Sequence, residues 1–287
     1  MNYVTGERIQ ELAEYSIVLN TGLNGLTRLF QDQFKNTKSK WCFFNESVGR
    51  IPEEVLQAKS LFVYTQILPF FFDKIYPHLS NRFVLITHNS DYGITEDYRR
   101  FLDENKIIKW FAQNAEIEHE KLVSVPIGIA NSQWPHGNLA LLDSIRAEKQ
   151  PKSSLVYKNF DSGTSFMRRL RVQEATSLNG IAMAPKTKQS IYLRSIAQSK
   201  FNICPLGNGV DCHRTWESLY LDSIPIVEDC PLNRSFKDLP ILIVPEDKWS
   251  LITKEFLEDQ YQRFANSTWK LDKLDLNYWK GRITQGV

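Results

Sequence analysis

The chain has 287 residues, 42% of them hydrophobic and 24% charged, which is the composition of a globular protein with enough length for one large domain or two modest ones. Its formal net charge of +2 offers no electrostatic basis for a nucleic-acid or membrane-surface partner. The four cysteines (Cys42, Cys204, Cys212 and Cys230) form no CxxC pair and fit neither a disulfide framework nor a zinc ligand pattern, so they read as reduced thiols.

From the amino terminus, MNYVTGERIQELAEYSIVL places charges where a signal peptide needs an apolar core. Short apolar runs then alternate with amphipathic ones, the signature of βα units and a mostly parallel sheet. Strands are predicted at 40–44, 60–65, 82–87, 106–112 and 122–128, with helices at 52–58 and 95–104. Residues 68–79 read as one more helix with Pro69 in its first turn. The most apolar stretch, SLFVYTQILPFFFDKIY, is interrupted by Gln66, Pro69 and Asp73 and cannot span a bilayer.

Near residue 150 the texture changes. NLALLDSIRAEKQPKSS reads as a helix followed by a polar, proline-marked connector, and a fresh strand starts at 154–160. A loop, DSGTS, leads into the basic helical stretch FMRRLRVQEATSL. A helix at 191–200, the strand FNICP, the helix HRTWESLYLD, the strands IPIVED and ILIVPED, and a helix in WSLITKEFLEDQYQRFA follow. The expected fold is α/β, with two Rossmann-like, doubly wound domains facing a cleft. The expected divisions are 1–150 for the first domain, 151–265 for the second, and 266–287 for a segment returning to the first.

Residues 201–227 carry the chemistry: FNICPLGNGVDCHRTWESLYLDSIPIV. A strand, FNIC, runs into a loop, PLGNGVD, and then a helix. Ligands of open parallel sheets bind beyond the carboxyl ends of the strands. Gly207 and Gly209 allow close backbone approach or positive φ, Asp211 is placed to cap the helix, and the helix amino terminus is a seat for phosphate. On the helix, Trp216, Leu219 and Tyr220 share an inward face, while His213, Arg214 and Glu217 share a neighbouring one. An arginine grips phosphate oxygens and a carboxylate accepts from ribose hydroxyls. The same residues also read as a plain helix ion pair, a satisfied histidine and two chain-turning glycines, and spacing alone leaves both readings open.

The segment resembles the signature of exostosin-like glycosyltransferases: a Phe-led strand, a Pro-x-Gly-x-Gly loop, Asp-x-His-Arg-x-Trp-Glu, and a turn into Ile-Pro. Phe201, Pro205, Gly207, Gly209, Asp211, His213, Arg214, Trp216, Glu217, Ile224 and Pro225 carry the match; Asp222, where a small residue is usual, departs from it. The resemblance implies the two-domain GT-B fold and a nucleotide-sugar donor, UDP-linked by preference, in the C-terminal domain. Glu217 would hold the ribose, and Arg214 with the loop Gly207, Asn208 and Gly209 would hold the diphosphate. Thr164, Arg168 and Arg171, after the strand SLVYKNF, are further diphosphate candidates. The chain shows no membrane anchor, so it is similar to soluble, stand-alone members of viral or bacterial type, with the cytoplasm (host cytoplasm if viral) as the expected location.

In the first half, FVLITHNSDYGI ends a strand on His88, Asn89, Ser90, Asp91 and Gly93, and polar groups at a strand tip are placed for catalysis or for a solvated turn. Asp91 is the first candidate for the base that deprotonates an acceptor hydroxyl, and His88 the second. Asn89, Trp134 and His136 are candidates for acceptor contact. Arg214 would also stabilise the departing diphosphate. The expected reaction is inverting transfer to a hydroxyl of a glycan or glycoprotein acceptor. No DxD triplet occurs, so no metal and no other cofactor is expected. A non-catalytic nucleotide-sugar or glycan-binding protein with the GT-B fold is the alternative; a glycoside phosphorylase ranks below it, since no lysine stands out as a pyridoxal phosphate anchor.

Overall fold

A computed structural model of the protein describes residues 1–19, 37–44, 49–161 and 163–285. The chain forms two compact units, one made of Met1–Pro135 with the segment from Asp275, the other of His136–Leu274. The change-over at Pro135 puts the proline-marked connector inside the second unit, because the helix before it, α5 (Leu139–Ala147), packs against α7 (Gln189–Ala197). At the other end, α11 (Leu276–Gln285) packs on α1 (Gly6–Gln10), and Leu276 N donates to Asn2 O at 2.9 Å.

The first unit is built on a six-stranded, wholly parallel sheet in the order β2-β1-β3-β4-β5-β6. Its strands are β1 (Tyr15–Leu19), β2 (Trp41–Phe44), β3 (Ser60–Tyr64), β4 (Phe83–His88), β5 (Ile107–Ala112) and β6 (Leu122–Ser124). Every residue of β3 and β4 is buried. That explains why these segments read as unbroken apolar runs rather than alternating ones: helices cover both faces of a parallel sheet. The order doubles back between β1 and β3, the point at which a doubly wound sheet opens a crevice at its carboxyl edge. Strand β1 was not among the predicted strands; YSIVL is five residues long and directly follows a charged helix, so no turn signal set it apart.

The helix expected at 68–79 is broken in three. α3 (Leu68–Phe70) runs into a π turn, Phe71–Ile75, and a 3₁₀ turn, Tyr76–His78. Pro77 lacks the N–H that would continue an α-helix, and Phe71, Phe72, Ile75 and Tyr76 are all buried.

In the second unit the sheet order is β10-β9-β8-β7, again parallel throughout, with β7 (Ser154–Tyr157), β8 (Ser199–Ile203), β9 (Ile224–Glu228) and β10 (Leu242–Val244). Phe201, Ile203, Ile224, Ile226, Leu242 and Val244 pack with Val172 of α6 (Phe166–Leu178) and Leu257 of α10 (Lys254–Ala265) in one core. The helix α8 (His213–Tyr220) packs on β9. Among the described residues no helix is long and apolar enough to cross a membrane.

Two glycines carry the first unit's carboxyl edge. Gly128 has φ +66°, and a Cβ there would lie 2.2 Å from Val4 O; a Cβ on Gly6 would lie 1.7 Å from Asn89 Oδ1. Gly128→Ala therefore combines a left-handed conformation with a backbone clash. It is expected to cost about 2–4 kcal/mol, read as a lower urea midpoint with unchanged m value.

Candidate functional site

The segment that joins β8 to α8 is held from several sides. Asn202 Nδ2 donates to Ser218 Oγ at 2.8 Å, and Ser218 Oγ donates to Arg214 O at 2.7 Å, which ties α8 to its strand. Lys152 Nζ donates to Ala197 O at 2.8 Å and Leu221 O at 3.0 Å and so closes the carboxyl ends of α7 and α8. As expected, Trp216, Leu219 and Tyr220 are buried.

Asp211 does not cap α8, contrary to the sequence reading. Its Oδ1 and Oδ2 accept from Trp216 Nε1 at 2.9 and 3.0 Å, and Oδ1 also accepts from Cys212 N at 2.8 Å. The residue at the N-cap is Cys212, and no side chain caps the helix. The indole is a donor that must be satisfied once buried, and it draws the carboxylate away. The amino end of α8 carries the partial positive charge of a helix start. A second expectation also changes: neither Gly207 nor Gly209 takes positive φ. Gly207 instead leaves space, since a Cβ there would meet only Arg169 Nη2 at 3.5 Å and Gly209 O at 3.7 Å.

Two guanidinium groups converge on this loop. Arg169, on α6, is buried; its Nε donates to Leu206 O at 3.0 Å and its Nη1 to Asp161 O. Arg214, on α8, has an enclosed Nε with no hydrogen-bond partner. Among the described residues neither group forms an ion pair with a carboxylate. Burial and the charge of Arg214 together push Arg169 below the usual arginine range. Burial opposes the charge on Arg214, yet the group is held above the usual arginine range and stays a cation; of the groups around it Glu217 is the carboxylate, while Tyr192 and Cys204 keep their protons. Two repelling cations that make no direct ion pair among the described residues, with Asp161 and Glu217 as their nearby carboxylates, can serve as a site for an anion.

Glu217 lies one turn beyond Arg214 and is buried. Its Oε2 accepts from Tyr192 Oη, on α7, at 2.9 Å. Burial raises its pKa, while the Tyr192 hydrogen bond and the Arg214 charge act the other way. His213 and His136 lie with ring centroids 6.0 Å apart.

The structure brings together Gly207, Gly209, Arg214 and Glu217, and it adds Arg169 and Tyr192, which sequence reasoning missed. Arg168 and Arg171 were chosen instead of their neighbour. Both lie where they favour ionisation of the buried Glu228, and Arg171 is exposed. The signal for Arg169 was the buried stripe Arg169, Val172 and Thr176, whose spacing of three and four sets it on the inner face of α6. Thr164 is half-buried and Asn208 exposed. Ser162, inside the DSGTS loop, lies outside the described residues.

In the first unit the tip of β4 is a buried polar network. Asn89, at φ 60°, has its backbone N between His88 Nδ1 (2.8 Å) and Gln113 Oε1 (2.9 Å). Its Oδ1 accepts from Asn131 Nδ2 at 3.0 Å, and its Nδ2 donates to Gln10 Oε1 at 3.3 Å. His88 is fully buried; Nε2 lies 3.0 Å from Pro126 O, to which it donates, leaving Nδ1 to accept. Burial lowers its pKa to about 4, against which its bonds to Pro126 and Asn89 act. Both ring nitrogens are thus engaged in holding the loop. Asp91 and Trp134 are exposed.

Comparison with known proteins adds the following. Residues 167–238, about a quarter of the chain, match the family described as the RXYLT1 C-terminal domain; this span contains Arg169, Tyr192, the glycine loop, Arg214 and Glu217. No curated protein matches. Solved structures that resemble the chain include an α,α-trehalose-phosphate synthase (UDP-forming) from Burkholderia vietnamiensis, at TM-score 0.47 and 9% identity over 95% of this chain and 96% of that one. An α1,3-fucosyltransferase gives TM-score 0.47 and 11% identity, covering 96% and 89%. A UDP-GlcNAc 2-epimerase from Methanocaldococcus jannaschii gives 0.39 and 10%, covering 94% and 98%.

A half-buried cation without a partner costs stability in the empty protein. Arg214→Met is therefore expected to leave the urea midpoint unchanged or raise it, while Asp211→Ala, which strands the Trp216 N–H, should lower the midpoint through a loss of about 1–3 kcal/mol in unfolding free energy. His88 sets a pH dependence. Its folded pKa, about 4, lies below the ordinary histidine value, so the unfolded chain binds the extra proton between the two. Its contribution is present above about pH 6.5 and is lost as pH falls through 4, by about 3 kcal/mol in total. Stability of His88→Gln measured from pH 7 to 4 should show a correspondingly shallower decline than the native protein.

Proposed function

We propose that the protein is a nucleotide-sugar glycosyltransferase of the GT-B class, moving a sugar from a nucleotide diphosphate donor, UDP-linked by preference, to a hydroxyl of a glycan acceptor. One observation carries the reading: Arg169 and Arg214 meet at a glycine loop with no carboxylate in ion-pair contact among the described residues, one turn from the buried Glu217. A pyrophosphate supplies the missing negative charge, and a ribose supplies hydroxyls for Glu217. The family match over residues 167–238 and the resemblance to exostosin-like glycosyltransferases support the same conclusion.

In this reading the diphosphate gains charge as the glycosidic bond breaks. Arg214, Arg169 and the uncapped start of α8 stabilise it by fixed charges and dipoles that are in place before the reaction. These groups do the work that a divalent ion would otherwise do, and the transfer is metal-independent. The acceptor hydroxyl attacks the anomeric carbon from the face opposite the leaving group, with inversion. Asp91 in the first unit takes the hydroxyl proton; its exposure suits it to meet an acceptor, whereas the ring of His88 is committed to Pro126 and Asn89. Asn89, Trp134 and His136 remain the proposed acceptor contacts. Thr164, Arg168, Asn208, Asp211 and His213 remain with the donor side.

A panel of nucleotides and nucleotide sugars in a thermal-shift assay tests the binding half: UDP or a UDP-sugar is expected to raise the melting temperature, and no shift with any nucleotide diphosphate would refute the reading. In transfer assays, Arg214→Ala is expected to lower kcat by about 10²–10³-fold. Glu217→Ala should mainly raise KM for the donor. Activity should survive excess chelator, and its loss there would overturn metal independence. Nucleotide-sugar binding without transfer or donor hydrolysis would instead make the chain a binding protein.

A further inference from the structure

We propose that Tyr192 is a positioning residue: by donating to Oε2 of Glu217 it fixes the carboxylate so that Oε1 is the oxygen presented to a single ribose hydroxyl of the donor nucleotide. The inference rests on the donor reading above and adds the residue that sets its nucleoside selectivity.

The two side chains come from different helices of consecutive βα units. Tyr192 is on α7, before β8, and Glu217 is on α8, after it. The hydroxyl meets Oε2 at 2.9 Å, and this is the one hydrogen bond of the carboxylate among the described residues. Glu217 is 6% exposed, yet Oε1 is neither fully enclosed nor bonded. Oε1 is therefore reachable from outside and free of a protein donor, and a ligand hydroxyl can supply one.

A phenolic O–H with a carboxylate neighbour acts as the donor, and burial together with the charge of Glu217 raises the Tyr192 pKa, so the proton stays on the tyrosine. The charged or titratable groups facing Glu217 are Tyr192 from α7, Arg214 from α8, and Cys204 at the end of β8, whose thiol burial keeps neutral. Tyr192 and Arg214 act against burial to favour the ionised form of Glu217, which accepts from Tyr192 at Oε2 and from the ribose at Oε1. Tyr192 itself is held where it is by α7: its ring lies 6.1 Å from that of Tyr157, and Leu193 and Ile196 are buried.

The test is calorimetric titration of the full chain with UDP, 2′-deoxy-UDP and 3′-deoxy-UDP from pH 5.5 to 8, using the native protein, Tyr192→Phe, Glu217→Gln and the double variant. The native protein is expected to lose about ten-fold in affinity for one of the two deoxy nucleotides and little for the other. Tyr192→Phe should bind UDP about ten-fold more weakly, lose most of that discrimination, and show the acid limb of its affinity at higher pH. The double variant should be no weaker than Glu217→Gln, which also serves if Tyr192→Phe alone fails to fold. Native-like affinity, discrimination and pH profile in Tyr192→Phe, alongside UDP binding by the native protein, would overturn the role of Tyr192 and leave the donor site standing. Absence of UDP binding by the native protein would overturn both.

Discussion

The site turns on like-charge repulsion that the empty protein does not relieve. Arg169 and Arg214 are brought to the same loop from two helices, and burial and mutual repulsion both act against Arg169. A fold optimised for stability alone would place a carboxylate between them or exchange one for an apolar side chain. The protein instead anchors Arg169 through two backbone carbonyls, those of Leu206 and Asp161, which fix its position without cancelling its charge. Neutral acceptors keep the electrostatic demand available for an incoming anion.

The same logic governs α8. A carboxylate stands beside its first turn, at Asp211, and would ordinarily cap it. The buried indole of Trp216 donates to both oxygens, so one interaction secures the helix against the core. Ser218, Asn202 and Lys152 complete the fixing of α7 and α8 at their other surfaces. Stability is thereby drawn from the inner face and the carboxyl ends, and the amino end of α8 is spared.

The first unit solves a different problem. Its carboxyl edge is a network of amides around Asn89, with His88 neutral and buried at its centre. The backbone of Asn89 lies in a left-handed conformation and Gly6 passes close against its side chain. Such an over-determined polar cluster gives a rigid loop, and the exposed residues that follow, Asp91 among them, project from a fixed base.

Most of the strands are legible in the amino-acid order, because a strand buried on both faces in a parallel sheet is written as a contiguous apolar run, as in SLFVY and FVLITH. That order determined the inner face of α8 and the pairing of a glycine loop with Arg214 and Glu217, because those residues are local to one turn-and-helix unit. The tertiary structure decided the rest. Which arginine of FMRRLRV turns to the loop depends on the facing of α6 against the sheet; Arg168 and Arg171 have the same chemistry as Arg169 but another side of the helix. Tyr192 is 25 residues from its partner carboxylate in sequence, and no spacing rule reaches that far. The fate of Asp211 was settled by competition between a helix end and an indole for one carboxylate, and only packing determines which donor is buried and must be satisfied first.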